Sequence, residues 1–213
     1  MDNKEILRHV DHTALKAFTT WEDIKKLCDE AIELNTASVC IPPTYIEKVN
    51  KTYGDKINIC TVIGFPLGYS VTEVKVLEAK KAIEDGANEI DMVINICDVK
   101  NGDFDKVSAE INALRNATEG KILKVIIETC YLEEEEKIKL CNIVTKNKAD
   151  YIKTSTGFGT NGATLDDIML FKRNIGSDVK MKAAGGIRTK EAMEEYLEAG
   201  CDRIGSSSAS ILK

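Results

Sequence analysis

The sequence has no long apolar run, and its opening stretch, "MDNKEILRHVDH", mixes charged and apolar residues. A membrane-spanning helix needs about 20 mostly apolar residues. We therefore expect neither a membrane span nor a signal peptide, and a cytoplasmic location. Basic clusters are also absent, and the net charge is −6. Because nucleic-acid binding depends on clustered Lys and Arg, we expect no nucleic-acid partner.

Motifs for metals and nucleotides are equally scarce. The seven cysteines are scattered singly, without a CxxC pair, which indicates reduced thiols rather than a disulfide framework. His9 and His12 are three residues apart and face opposite sides of a strand, which argues against a two-His metal site. There is no HExxH motif, and no GxGxxG follows the first strand. We therefore expect neither a metal ion nor a dinucleotide cofactor.

A repeating β–α rhythm is what the sequence has instead. Apolar runs alternate with amphipathic helical patterns, and they predict eight strands at 8–13, 37–41, 57–63, 89–95, 122–128, 151–153, 179–183 and 203–205. Eight units in this length give roughly 27 residues per unit, the short end for a TIM barrel. We predict an α/β protein with one (β/α)8 barrel domain over residues 1–213. An open doubly wound sheet is the alternative, and the unit count favours the barrel.

Three predicted helices begin with capping signals. Thr19 with Glu22 and Ser70 with Glu73 have the spacing of a capping box. Thr189 precedes a helical pattern that stops at a glycine. We therefore expect helices to start at these three positions.

Charged residues occur on the predicted inward faces of two strands. In "EIDMVIN", Ile90, Met92 and Ile94 share one face, so Asp91 lies on the other and points into the barrel. By the same alternation Asp11 points inward from strand one if His12 faces the helices. Asp91 is a candidate catalytic acid or base, or alternatively an ion-pair partner. Asp11 is a candidate supporting acid behind the site.

Two neighbouring strands each carry a lysine near the carboxyl end, where barrel enzymes place their chemistry. These are Lys153 on strand six and Lys182 on strand seven, whereas Lys180 lies earlier and is expected at the opposite, solvated end. Neighbouring strands lie about 5 Å apart. Two ammonium groups at that range repel each other, which lowers a lysine pKa and favours a nucleophilic amine. A snorkelling lysine at a strand end is the structural alternative for Lys153.

Two further positions have a structural interpretation first. Lys124 and Glu128 share a face of strand five, and we expect these opposite charges to neutralise each other in a supporting layer, with direct substrate contact as the alternative. Cys40 ends strand two, and a buried small apolar side chain explains it better than a place at the site.

Two loops suit an anion. "AAGGIRT" after strand seven and "GSSSAS" after strand eight consist mostly of residues with small side chains. Barrel enzymes often bind phosphate on these two loops through backbone N–H groups. The candidate positions are Gly185, Gly186, Ser206 and Ser207, with added charge from Arg188. Thr156 and Gly157 in "TSTG" follow Lys153 and face the same region, and tight turns are the structural alternative.

Together "YIKTSTGFG", "EIDMVIN", "VIGFPLG", "LKVIIET" and "MKAAGGIRT" resemble the deoxyribose-phosphate aldolase family, and the resemblance covers nearly the whole chain. That resemblance implies a metal-free (β/α)8 barrel. It also implies reversible cleavage of 2-deoxy-D-ribose 5-phosphate to D-glyceraldehyde 3-phosphate and acetaldehyde. Lys153 would form the Schiff base, Lys182 would perturb it, and Asp91 would exchange protons. The loops with Gly185, Gly186, Ser206 and Ser207 would bind phosphate, and Thr156 and Gly157 would face the substrate.

Two positions depart from the family pattern. Some relatives have a lysine where this sequence has Phe158, so that cation for phosphate is missing here. Some longer relatives carry a tyrosine in a C-terminal tail, and "SSASILK" holds none. We therefore expect phosphate to depend on backbone amides and Arg188. The sequence leaves open which group takes the place of that tyrosine in proton transfer.

Two other functions stay open from the residues alone. A phosphosugar isomerase would use the same phosphate loops with a carboxylate base and would need no lysine pair. A sensor of a phosphorylated metabolite would bind without turnover. All of these functions predict a small phosphorylated partner. The oligomeric state also stays open, with a homodimer as one candidate.

Overall fold

Eight parallel strands close into a barrel in chain order, so the predicted (β/α)8 fold is confirmed. The structure is a computed structural model that describes all residues from Met1 to Lys213. The strands are β1 Val10–Thr13, β2 Ser38–Ile41, β3 Ile59–Ile63, β4 Glu89–Val93, β5 Ile122–Ile126, β6 Tyr151–Lys153, β7 Lys180–Ala184 and β8 Arg203–Ser206. Strands β1 to β5 are one or two residues shorter than the apolar runs that predicted them, β6 matches its run, and β7 and β8 each end one residue later than predicted.

Nine α-helices surround the barrel: α1 Asn3–Leu7, α2 Trp21–Leu34, α3 Ile46–Tyr53, α4 Thr72–Asp85, α5 Ile96–Lys100, α6 Phe104–Ala117, α7 Glu134–Lys146, α8 Leu165–Asn174 and α9 Lys190–Ala199. The last strand is followed only by a short 3-10 helix, Ala209–Leu212. Helix α1 was not predicted, because it is too short to show a helical period. No helix in the structure is both long and apolar enough to span a membrane.

The helix starts correct two of the capping predictions. Helix α2 uses Thr20 with Asp23, one position after the predicted pair, and both capping-box hydrogen bonds are present. Helix α4 begins after Val71 without a side-chain cap, so the Ser70 prediction was wrong. Helix α9 begins as predicted, with the Thr189 hydroxyl accepting from the N–H of Ala192. A capping motif can therefore recur by chance one or two residues from the true start.

The barrel wall separates an apolar layer from a polar interior. Forty-six buried residues form one core between the strands and the helices, and it includes Ile90, Met92 and Ile94, as the strand alternation predicted. Inside the barrel the buried side chains are largely charged, among them Asp91, Lys124 and Lys182. The alternating strand pattern therefore sends apolar side chains outward and charged ones inward.

Candidate active site

A cavity of about 680 Å³ opens at the carboxyl end of the barrel. Its wall includes Lys153 and the predicted loop residues Thr156, Gly157, Gly185, Gly186, Ser206 and Ser207, together with Arg188. Lys153 and Ser206 are the last residues of β6 and β8, and the others come from the loops after β6, β7 and β8, which the barrel brings to the same end. The structure therefore brings these predicted residues together at one cavity, and their roles remain predictions.

Lys153 and Lys182 are register partners on β6 and β7. Their Nζ atoms are each 2.7 Å from the same oxygen of Asp91, Oδ2. The two ammonium groups therefore meet across a carboxylate rather than directly. All three side chains are buried, and Asp91 points into the barrel as predicted.

Lys182 and Asp91 hold each other in the charged state. Burial lowers the pKa of Lys182, but the carboxylates of Asp11 and Asp91 outweigh burial and raise it above its ordinary value. Burial likewise raises the pKa of Asp91, while Lys124, Lys153 and Lys182 outweigh that effect and hold it well below its usual range. Lys182 is therefore a fixed cation beside Lys153, as a perturbing neighbour requires.

Asp11 extends this arrangement toward β1. Its carboxylate binds Lys182 through Oδ2 and accepts from the Ser38 hydroxyl at 2.7 Å and from Arg203 Nη1 at 2.5 Å through Oδ1. Burial raises the pKa of Asp11, but Lys182, Lys124 and Arg203 overcome burial and lower it. Asp11 thus supports the site from behind and lies outside the cavity wall.

The ion-paired charges inside the barrel, which we call the barrel cluster, are Asp11, Glu89, Asp91, Lys124, Lys153, Lys182 and Arg203. Four cations share three carboxylates through contacts of 4 Å or less. Only Lys153 among them lines the cavity. The surplus cation of the cluster therefore lies where a ligand can reach it.

Arg203 was missed by the sequence interpretation. It is the first residue of β8, and its guanidinium lies 3.1 Å from Glu89 Oε2 as well as against Asp11. An arginine at the start of a strand is usually solvated, and only the closure of β8 against β1 buries this one. Inward alternation on β8 was the available signal.

The predicted pairing of Lys124 with Glu128 was wrong. Lys124 contacts Asp91 at 2.8 Å and Glu89 at 2.5 Å inside the barrel. Glu128 lies beyond the end of β5, and its carboxylate instead binds Thr156. The strand ends at Ile126, so the alternation that put both charges on one face does not continue to position 128.

Thr156 is less free than its place in the cavity wall suggests. Its N–H donates to Glu128 Oε1 at 3.1 Å, and its hydroxyl donates to Oε2. Both donors are therefore occupied within the chain. Thr156 can still contact a ligand through its methyl group, but its N–H and O–H groups serve the loop.

The loops after β7 and β8 offer free donors. The N–H groups of Gly186 and Ser207 donate to no other group of the chain. Gly186 has φ +81, and a Cβ there would meet nothing within 4 Å, so the backbone is open to a close ligand. Ser206 differs, since its hydroxyl donates to the Ile187 carbonyl at 2.7 Å. Helix α9 starts soon after β7, as predicted, whereas only a short 3-10 helix follows β8.

Two cations in the cavity wall have no carboxylate partner. Arg188 is exposed and unpaired, as is Lys16 on the loop after β1, whose Nζ lies 5.6 Å from the centroid of the Phe18 ring. Phe158 is 53% exposed, and its ring meets that of Phe65 edge to face at 5.3 Å. Position 158 therefore contributes an apolar surface, and an anion would find its positive charge at Arg188 and Lys16.

Cys40 is buried as expected, and the structure adds a neighbour that the sequence did not indicate. Cys40 and Cys60 are register partners on β2 and β3, and with Asp91 they form a group whose ligand atoms lie within 4.8 Å of one another. Asp11, Cys60 and Glu89 form a second such group. Lys124 already binds Asp91 Oδ1 at 2.8 Å, so a metal ion in the first group would have to displace an ammonium.

The comparisons with known proteins show the family of this chain. The family model described as DeoC/LacD family aldolase matches residues 1–212. A deoxyribose-phosphate aldolase of Clostridium botulinum (strain Alaska E43 / Type E3) is 66% identical over 98% of this chain and 95% of its own length. One of Clostridioides difficile (strain 630) is 59% identical over 96% of this chain and 94% of its own.

A solved structure gives the same answer for the fold. The tetrameric deoxyribose phosphate aldolase of Aeropyrum pernix superposes with a TM-score of 0.90 at 29% identity. The match covers 98% of this chain and 89% of that one. The resemblance noted from the motifs is therefore confirmed over nearly the whole chain.

Proposed function

The chain belongs to the DeoC/LacD family of aldolases, and we propose that it cleaves 2-deoxy-D-ribose 5-phosphate reversibly to D-glyceraldehyde 3-phosphate and acetaldehyde through a Schiff base on Lys153. The observation that supports this most is that Lys153 is the one cation of the barrel cluster that lines the cavity. Four cations share three carboxylates in the cluster, and the one that a ligand can reach carries the amine that an aldehyde would meet.

The reaction begins with attack of the Lys153 amine on the C1 aldehyde of the open-chain sugar phosphate. The carbinolamine loses water and becomes an iminium, which withdraws electrons from C2. A base takes the proton of the C3 hydroxyl, the C2–C3 bond breaks, and its electron pair forms an enamine. Glyceraldehyde 3-phosphate leaves. Protonation of the enamine and hydrolysis then release acetaldehyde and restore Lys153.

Asp91 is the group that we propose for proton exchange, acting through water. Its Oδ2 lies 2.7 Å from Lys153 Nζ, where the carbinolamine forms. Lys124, Lys153 and Lys182 outweigh burial and hold its pKa well below its usual range, so it is present as the carboxylate, the form that accepts a proton. Lys182, on the same oxygen, keeps a positive charge beside the amine and disfavours a second one.

The phosphate is proposed to lie on the loops after β7 and β8. Gly186 and Ser207 supply unoccupied N–H donors there, and Gly185 and Ser206 shape the two turns. Arg188 supplies the positive charge that some relatives have in a lysine at the position of Phe158. Gly157 follows Lys153 in the facing loop, and Thr156 positions that loop.

Trapping with borohydride tests the proposal. Acetaldehyde and borohydride should leave an ethyl group on the peptide that contains Lys153, as read by intact mass and peptide mapping. Substrate cleavage should yield glyceraldehyde 3-phosphate. An adduct on another lysine would move the nucleophile. Turnover to an isomer, or binding without turnover, would favour the isomerase or the sensor instead.

The setting of this reaction is also a proposal. Cleavage of a deoxyribose phosphate suits the breakdown of deoxynucleosides. Seven free thiols suit a reducing compartment such as the cytoplasm. Detection of the chain, tagged at its C-terminus, outside the cytoplasm of the expressing cell would contradict that location.

A second copy of the chain is the partner that we propose for an apolar patch beside α4. Five of the twelve exposed large apolar residues lie within eleven positions: Leu67, Tyr69, Val71, Val74 and Leu77. Glu73 and Lys80, two helical turns apart, have no ion-pair partner within the chain. An antiparallel copy of α4 would place each beside the other. Leu77→Arg should lower the sedimentation coefficient to that of a monomer, while Met169→Arg on α8 should not.

A further inference from the structure

Glu128 is a buried carboxylate without a cation. The other buried carboxylates each have a Lys or Arg partner within 4 Å, namely Asp11, Glu89, Asp91, Glu110 and Asp167. Glu128 is 2% exposed and has none. Burial raises its pKa, although hydrogen bonds from Thr156 oppose that effect. A buried carboxylate with no cation within 4 Å is costly, which suggests that it has a function.

The backbone at this residue is also unusual. Glu128 has φ 52 and ψ 67, the left-handed region that residues with a Cβ disfavour. It follows the end of β5, so this turn directs its side chain across to the loop after β6. A Cβ on Gly159 of that loop would lie 3.1 Å from Glu128 Cδ. The facing loop therefore leaves space for this carboxylate.

The Glu128 carboxylate fixes two residues of that loop, one directly and one through a shared hydroxyl. Both of its oxygens accept from Thr156, one from the N–H at 3.1 Å and the other from the hydroxyl. The same hydroxyl accepts from the N–H of Phe158 at 3.0 Å. Removal of Glu128 would release Thr156 and, through it, Phe158.

This loop forms the cavity wall next to the reacting lysine. Thr156, Gly157 and Phe158 line the cavity, and Lys153 lies three residues before them. Glu128 itself does not line it. Glu128 therefore acts on a ligand through the loop rather than by contact.

We propose that Glu128 is a positioning residue that fixes residues 156–158 as the wall for the sugar-phosphate part of the substrate. This inference rests on the proposed aldol reaction. It predicts that Glu128 affects the binding of the sugar phosphate and not the formation of an imine with acetaldehyde, which needs only the lysine and a small space.

The inference also predicts a dependence on pH. The titratable groups that face Glu128 are Lys153 from β6 and Cys130, whose Sγ lies 4.0 Å from Oε1 on its own loop. Protonation removes the negative charge that strengthens the bonds from Thr156. The KM for the sugar phosphate should therefore rise toward acid pH, as Glu128 takes up its proton.

Kinetics of two variants test the proposal. Glu128→Ala should raise KM for the sugar phosphate by about tenfold or more, the scale for lost hydrogen bonds to a charged group. Its ethyl adduct at Lys153 with acetaldehyde and borohydride should stay at the wild-type level. Glu128→Gln should raise KM less and remove its rise at acid pH. The matched control is Glu134→Ala, an exposed carboxylate in the first turn of α7.

A coupling measurement adds a readout that a merely structural role would not give. Thr156→Val removes the hydroxyl and keeps the N–H, and its effect on KM should be smaller in the Glu128→Gln background than in the wild type. This comparison stands even if Glu128→Ala does not fold.

Different outcomes would overturn the positioning role of Glu128 and the Schiff base on Lys153. Unchanged KM and pH dependence in Glu128→Gln, with additive effects at Thr156, would overturn the positioning role. Loss of the acetaldehyde adduct in a folded Glu128 variant would also overturn it, because Glu128 would then act on the lysine. Absence of an adduct in the wild-type protein would instead overturn the Schiff base and, with it, this inference.

Discussion

Two sets of buried charges lie on opposite sides of the barrel wall, and they differ in how their charges balance. On the helix side, Lys75 of α4 and Glu110 of α6 form a buried pair at 2.7 Å, which we call the helix pair. Inside, the barrel cluster has four cations for three carboxylates. The helix pair is complete by itself, whereas the cluster has one surplus cation, and that cation faces the cavity.

The pKa directions follow the number of partners. Burial lowers the pKa of Lys75 and raises that of Glu110, because one partner does not outweigh the loss of water. In the cluster several carboxylates outweigh burial, and the pKa of Lys182 is raised. Buried charge alone therefore does not identify a reactive site. A charge imbalance among buried groups that a ligand can reach indicates a reactive site more specifically.

Replacement of the surplus cation should have the largest effect. Lys153→Ala should reduce cleavage at saturating substrate by on the order of 10⁴-fold or more, since the covalent intermediate cannot form. The measurement is kcat by coupled assay of glyceraldehyde 3-phosphate. Lys180→Ala, an exposed lysine on β7, is the control and should match the wild type. Substantial turnover by Lys153→Ala would remove the main distinction between the two sets.

Replacement of one member of the helix pair should affect stability instead. Lys75→Ala should lower the free energy of unfolding by about 3–5 kcal/mol, because Glu110 is left as an unpaired buried charge. The double variant Lys75→Met with Glu110→Leu should recover most of that loss. Urea unfolding measures both. A single variant with normal stability but little turnover would assign the helix pair to chemistry.

Replacement of Lys182, the fixed cation, should have an effect of intermediate size. Lys182→Leu should slow cleavage by about 10²-fold and shift the active limb of the pH–rate profile to higher pH, since repulsion no longer favours the amine. The measurement is kcat/KM from pH 5 to 10, again with Lys180→Ala as control. A slower enzyme with an unmoved profile would leave Lys182 as a proton donor or a contact to substrate.

The two sets should also respond to acid in opposite directions. The folded pKa of Asp11 lies below its unfolded value of about 3.9. Its contribution to the free energy of unfolding is therefore present above that pH and is lost as the pH falls. Glu110 has a raised pKa, so its folded state binds more protons and is favoured by acid.

Urea unfolding from pH 3 to 7 distinguishes these two responses. Asp11→Asn should flatten the loss of stability in acid, whereas Glu110→Gln should steepen it. The effect of each variant should be small beside those of the other replacements. The same slope in both variants would mean that neither carboxylate is the group that titrates.

Most of the fold could be predicted because alternation within each strand is a local property. The parity of "EIDMVIN" placed Asp91 inside and Ile90 outside, and both placements are correct. The pairing of Lys124 with Glu128 failed because the strand ends at Ile126 and the turn at Glu128 redirects its side chain. Local parity is thus reliable only while the extended backbone continues.

The sequence by itself determined which residues point into the barrel, which loops are free of bulk, and which family the motifs resemble. Only the tertiary structure decided the partners of each charge. Asp11 meets Arg203 and Lys182 across separations of 192 and 171 residues, and Glu128 meets Thr156 between two loops. Such contacts depend on strand register and barrel closure. Both arise from the packing of the whole chain, and no local pattern encodes them.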